Sequence, residues 1–166
     1  MRYFIDMDGT LAVYPSVTER WWEVPNIFRY LAPQKKVIDA VKQLIKAGCE
    51  VYILSAYNAQ YPESKACKDY WVDTYLPEID SAHRIYSIVG TDKFSYVPGG
   101  IKPDDVLLDD YNGNLTKWKS AGGIGVKLLN GINNRKSWDG VSVRGYRTTK
   151  EIYEALVGLD KEIIFG

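Results

Sequence analysis

Cysteine and histidine are scarce in this sequence. Cys49, Cys67 and His83 are its whole complement, too few for a disulfide framework and a poor basis for a zinc site. The two cysteines therefore read as buried thiols in a reducing compartment. Long apolar runs are missing too. Val51-Tyr52-Ile53-Leu54 is typical, far short of what spans a bilayer. Met1-Arg2 passes straight into the strand-like Tyr3-Phe4-Ile5, so no signal peptide is expected and the predicted location is cytoplasmic. An excess of either charge is also absent: 21 Lys+Arg meet 21 Asp+Glu, which argues against a generally basic nucleic-acid binder. What remains, 166 residues with 46% apolar and 25% charged, fits one globular domain with its own core. The zero is nevertheless a cancellation. Residues 113–150 hold eight Lys/Arg against a single acid, Asp139, a local +7 that the rest of the chain offsets.

Short apolar runs alternate with amphipathic stretches. Strands are predicted at residues 2–5, 49–54, 86–89, 106–108 and 124–129. Helices are predicted at 34–47, where Val37, Ile38, Val41, Leu44 and Ile45 share one face and Gly48 stops the run, at 62–76, and at 115–121. A last helix starts at the capping-box pattern Thr148-x-x-Glu151 and ends near Gly158. Apolar strands separated by helices imply an α/β fold: a three-layer, Rossmann-like parallel sheet of about five strands, helices on both faces. Right-handed crossovers then bring the C-terminal ends of all strands to one edge, where such sheets bind ligands. Residues 11–32, rich in aromatics (Tyr14, Trp21, Trp22, Phe28, Tyr30), have no clear period. They read as a short cap-like insertion within the single domain.

That edge should gather chemistry. The first strand runs into Asp6-Met7-Asp8-Gly9-Thr10, the second ends at Ser55, the third is followed by Thr91-Asp92-Lys93, and the fourth ends in Asp109-Asp110. Carboxylates so gathered repel one another unless a cation neutralises them. Hard oxygen donors with room for water and phosphate suit Mg²⁺.

Phe4-Ile5-Asp6-Met7-Asp8-Gly9-Thr10-Leu11, Ile53-Leu54-Ser55, Lys93 and Leu107-Leu108-Asp109-Asp110 together resemble the four motifs of the haloacid dehalogenase (HAD) superfamily of phosphatases. Within it, the order of residues 68–75, Thr91-Asp92-Lys93 and Asp109-Asp110 is most similar to the 5'(3')-deoxyribonucleotidase branch. The resemblance covers roughly residues 2–10 and 33–129. It fails over 11–32, where those nucleotidases carry a much longer helical cap. It implies a Mg²⁺-dependent phosphomonoesterase, acting on a nucleotide, in which Asp6 attacks phosphorus to form an aspartyl-phosphate. Asp8 would protonate the leaving oxygen and then activate water. Asp6, the Asp8 carbonyl and Asp110 would hold the metal, with Asp109 as a further ligand or a neighbour of one. Ser55 and backbone N–H groups at Ala56 would hold the phosphoryl oxygens, and Lys93 would balance charge. Lys102 is the alternative lysine.

Other readings stay open on the sequence. Asn112 and Asn114 are expected to cap the helix at 115–121, Gly122-Gly123-x-Gly125 to form a turn, and His83 to lie on the surface. Trp21, Trp22, Phe28 and Tyr30 are candidates either for stacking a base or for packing the cap. A short cap leaves the site open, so the end of a nucleic acid, another phosphorylated metabolite or a phosphoprotein is an alternative substrate. The basic segment 113–150 bears on the first of these. From other classes, a receiver-like phospho-acceptor domain puts its acceptor Asp after the third strand, not the first. A binding protein with a vestigial site is the remaining alternative.

Overall fold

The computed structural model describes residues 1–14, 23–134 and 137–159. Its strands are β1 (Arg2–Ile5), β2 (Glu50–Tyr57), β3 (Arg84–Ile88), β4 (Val106–Asp109), β5 (Ile124–Leu129) and β6 (Val141–Arg144). They form one sheet in the order β3-β2-β1-β4-β5-β6, parallel throughout. The sheet therefore has six strands, not about five. The additional β6 is a short edge strand within the basic stretch, with only Val143 fully buried. Four helices cover the sheet: α1 (Lys35–Lys46), α2 (Ser64–Tyr75), α3 (Asn112–Ser120) and α4 (Thr149–Val157).

Strand alternation divides the core into two layers. Tyr3, Ile5, Val51, Ile53 and Leu108 face a cluster with Val37 and Val41 of α1, Trp71 and Val72 of α2, and Ile152 and Leu156 of α4. Phe4, Tyr52, Leu54 and Leu107 face the other way, against Leu115 and Trp118 of α3. There the Phe4 ring stacks on Tyr52 at 4.9 Å and meets Trp118 at 5.1 Å. At the N-terminal edge, Arg2 makes a buried two-pronged pair with Asp105, at 2.9 and 2.5 Å, and donates to the carbonyls of Pro98 and Gly100. This ties the start of β1 to the approach to β4.

β1 lies between β2 and β4, where the strand order reverses. At such a switch point two crossovers leave in opposite directions and open a crevice beyond the strand ends. Ile5 is in register with Leu108, and the Asp6 N–H still donates to the Leu108 carbonyl at 2.9 Å. Asp6 and Asp109 are thereby brought side by side.

Some boundaries differ from expectation. β2 runs on to Tyr57 and pairs with β3 to its end, so Ser55 and Ala56 lie within the strand. β1 stops pairing at Ile53, which leaves that stretch of β2 uncovered on the crevice side. α3 starts at Asn112, with Tyr111 at the cap position and no side-chain cap bond. The expected Asn112 and Asn114 caps are not formed, because both side chains have other partners: Asn112 accepts from Lys127 and Asn114 donates to Asp109. The capping box of α4 is present. Both cysteines are free, but only Cys67 is buried; Cys49 is half-buried. Within the segment expected as a cap, Leu11 and Ala12 are buried and a 3-10 turn, Pro25–Arg29, packs on α2. The Trp71 indole N–H donates to the Leu31 carbonyl at 2.8 Å. Trp21 and Trp22 lie outside the described residues.

Candidate active site

The chain leaves β1 through a tight turn. Gly9 has φ +84°, and a β-carbon there would run into the Tyr14 ring and come within 2.6 Å of Asp110 Oδ2. Only glycine fits, both for backbone and for space. The turn is held by two side chains that donate to the Gly9 carbonyl, Gln34 at 3.1 Å and Asn130 at 2.9 Å.

Asp6, at the end of β1, is buried. Its Oδ1 accepts from Lys93 Nζ at 2.6 Å and its Oδ2 from the Thr10 hydroxyl at 3.1 Å. Lys93 sits in a 3-10 turn (Lys93–Tyr96) and also reaches Asp109 Oδ2 at 2.8 Å. Burial works against the charge on Lys93, but Asp109 and Asp6 outweigh it and hold its pKa above the ordinary lysine value. Burial pushes the Asp6 carboxyl well up, against the pull of Lys93 and with the help of Asp109, Asp110 and Asp8. Asp110 is raised to about 6, chiefly by burial and then by Asp109. The alternative Lys102 is exposed, and its backbone N–H donates to Asp105.

Asp109 takes three protein donors. Besides Lys93, its Oδ2 takes Asn114 Nδ2 at 2.9 Å, and its Oδ1 takes the Tyr111 N–H at 2.8 Å. One oxygen each from Asp6, Asp109 and Asp110 lie within 4.8 Å of one another, and this trio could hold a metal ion. Among the described residues Asp109 takes three donors where Asp6 and Asp110 take two each, which leaves the latter two more acceptor capacity for an ion.

The sequence reading missed Lys68. This α2 lysine is fully buried, and its ammonium donates to Asp8 Oδ2 at 2.5 Å, Ser55 Oγ at 2.7 Å and the Ala56 carbonyl at 2.7 Å. The Phe28 ring lies 4.4 Å from it. A lysine on a helix ordinarily reads as a solvent-facing residue. The available signal was its place in the polar, aromatic string 68–75 already tied to the motif order. The other Asp8 oxygen, Oδ1, is buried without a hydrogen-bond partner among the described residues.

Asp6, Asp8, Lys93, Asp109 and Asp110 line a cavity of about 400 Å³ whose remaining wall includes Tyr14, Phe28, Ala56, Tyr57, Asn58, Val89, Tyr111 and Asn114. Ser55 is buried just behind that wall on β2. Tyr30 is exposed and takes no part in it, and His83 lies elsewhere, against Asp80 and the Tyr52 ring.

The fold belongs to a known class: this parallel α/β arrangement is shared with solved phosphatases and hydrolases of the HAD superfamily. D,D-heptose 1,7-bisphosphate phosphatase from Burkholderia thailandensis superposes with a TM-score of 0.62 at 14% identity, over 96% of this chain and 99% of that one. The D,D-heptose 1,7-bisphosphate phosphatase from B. bronchiseptica, solved with magnesium and phosphate, gives 0.59 at 10% identity over 95% and 98%. A HAD-superfamily hydrolase from Ehrlichia chaffeensis gives 0.55 at 13% over 96% and 97%. At these identities the likeness concerns the fold. No family model matches the chain, and no curated protein matches it.

Proposed function

We propose that the protein is a Mg²⁺-dependent phosphomonoesterase that works through an aspartyl-phosphate on Asp6, with a nucleotide as substrate. We read it as a single domain with a short cap. The observation that carries the reading is the charge arrangement. Four carboxylates (Asp6, Asp8, Asp109, Asp110) converge on one crevice, with two ammonium groups, Lys93 and Lys68, in direct contact with them. The imbalance and the all-oxygen donor set fit a hard divalent cation.

Asp6, the Asp8 carbonyl and Asp110 would hold Mg²⁺. The bound ion would offset the phosphate's charge, so that an anionic carboxylate can approach it. Asp6 is turned and fixed by Thr10 and Lys93, which leaves little motion to arrest when it attacks. Attack forms an acyl-phosphate bond between an Asp6 carboxylate oxygen and phosphorus and breaks the bond to the leaving oxygen, which takes a proton from Asp8. Asp8 then accepts a proton from the water that hydrolyses the acyl phosphate. Lys68 holds the Asp8 side chain in place through Oδ2. Ser55, held by the same lysine, keeps its hydroxyl proton for a phosphoryl oxygen. Lys93 follows charge as it moves between Asp6 and the transferred group.

The cavity supports the nucleotide. Carboxylates and Lys93 line it together with Tyr14, Phe28, Tyr57 and Tyr111, aromatic side chains on which a flat base can stack. Five of the eight basic side chains of residues 113–150 are paired with acids or buried, which favours a mononucleotide over a polymer. Lys117 pairs with Asp92, Lys119 with Asp139, Arg147 with Glu151 and Lys150 with Glu154, and Lys127 is buried.

Asp6→Asn is expected to abolish phosphate release from nucleoside monophosphates while the circular dichroism spectrum stays unchanged. Retained turnover would remove Asp6 as nucleophile. A wild-type protein inert toward nucleotides, sugar phosphates and phosphorylated oligonucleotides would remove the phosphatase reading.

A further inference from the structure

Asp110 is gripped by a loop that the proposed mechanism does not use. After β5 the chain turns through Gly131, at φ +86°, and returns two asparagine side chains to the same carboxylate oxygen. Asn130 Nδ2 donates to Asp110 Oδ2 at 2.7 Å and Asn133 Nδ2 at 2.6 Å. The Asn130 amide is not free to turn over. The Asn130 Oδ1 accepts the backbone N–H groups of Ile132 and Asn133, at 2.9 and 3.1 Å, which fixes its NH₂ toward Asp110. The loop is in turn bolted to the sheet. Buried Lys127, opposite Asp109 in the β4–β5 register, donates to the Asn133 carbonyl at 2.8 Å and to Asn112 Oδ1. Because Asn130 also holds the Gly9 carbonyl, one side chain spans the β1 turn and the end of β4.

We propose that Asn130 and Asn133 are positioning residues, an amide clamp that fixes Asp110 as a cation ligand and biases the site toward Mg²⁺ over larger cations. The proposal rests on reading the carboxylate cluster as a metal centre. Two donors on one oxygen stop the carboxylate from rotating and keep Oδ1 for the cation. Mg²⁺ demands near-ideal octahedral geometry with short bonds, whereas Ca²⁺ tolerates irregular, longer coordination. A ligand held rigidly therefore favours Mg²⁺, and loosening it should harm Mg²⁺ binding more than Ca²⁺ binding. Groups that orient a metal ligand typically alter affinity ten- to a hundredfold.

The test is calorimetric titration of the full chain with Mg²⁺ alone and with Ca²⁺ alone. Wild type is compared with Asn130→Ala, Asn133→Ala and Lys127→Met, and each variant is also melted in EDTA. Mg²⁺ affinity should fall about tenfold or more in the asparagine variants. Ca²⁺ affinity should fall less, so the preference narrows. Lys127→Met, which leaves the carboxylate untouched, should act in the same direction and more weakly. It keeps the test decisive if an asparagine variant does not fold. Equal weakening of both cations, or none, would overturn the clamp. A wild type that binds no Mg²⁺ would overturn the metal centre and the clamp together. A wild type that binds Mg²⁺ but releases no phosphate would remove only the enzymatic reading.

Discussion

Lys93 shows how much of this site is one electrostatic problem. Its ammonium lies 2.6 Å from Asp6 and 2.8 Å from Asp109, with all three groups buried. Lys93→Met keeps the stem and removes the charge, leaving two desolvated carboxylates uncompensated. Loss of one member of a buried pair is expected to lower stability by about 3 kcal/mol at pH 7, measured by urea denaturation in EDTA. An unchanged midpoint would mean that the carboxylates are not desolvated as described. A related expectation concerns pH. Asp110 is raised from its ordinary 3.8 to about 6, so the folded state binds its proton more tightly than the unfolded chain does. Stability without metal should therefore fall as pH rises from about 4 to about 6. Added Mg²⁺ should raise the melting temperature more at pH 7 than at pH 5. A metal-free stability that climbs through that window would contradict the burial of Asp110.

At the scale of elements, α2 carries Lys68 into the crevice and is anchored by Trp71, whose ring is fully buried and whose indole N–H holds the Leu31 carbonyl. Trp71→Ala should cost about 3–5 kcal/mol in chemical denaturation; a cost below 1 kcal/mol would show that α2 is held by something else. Strand periodicity made β1, β4 and β5 legible because each is a run of apolar residues bounded by turn residues. β6 was not, since Val-Ser-Val-Arg is short, half-buried and set among glycines and basic side chains. The start of α3 was misread because asparagine favours cap positions in general, whereas Asn114 here turns to Asp109 and Asn112 to Lys127. The acidic members of the site could be read from their places after strands. Asn130 and Asn133 could not, and Lys68 only through its place in the 68–75 string, because their roles depend on which face of a helix or turn meets the crevice. No local pattern records that.

At the scale of the molecule, the basic stretch is partly offset among its described residues. Within the +7 of residues 113–150, Lys117, Arg147 and Lys150 pair with acids that lie outside the stretch, Asp92, Glu151 and Glu154. Turnover of a mononucleotide should therefore change by less than about threefold between 50 and 200 mM salt. A protein tracking a phosphate backbone through several contacts loses orders of magnitude over that range. A steep salt dependence with a phosphorylated oligonucleotide would favour the alternative substrate, a nucleic-acid end, over the mononucleotide.

The wholly parallel sheet, with β1 at its centre, also dictates an order of events. Asp109 and Asp110 come roughly 100 residues after Asp6, and every neighbour of β1 in the sheet is distant in sequence. No hairpin can bring the carboxylates together early. During synthesis the crevice cannot exist until β4 has emerged and docked beside β1, and its acids stay hydrated and apart until then. Mg²⁺ can therefore act as a late lock, slowing the escape of β4 from β1 more than it hastens their meeting.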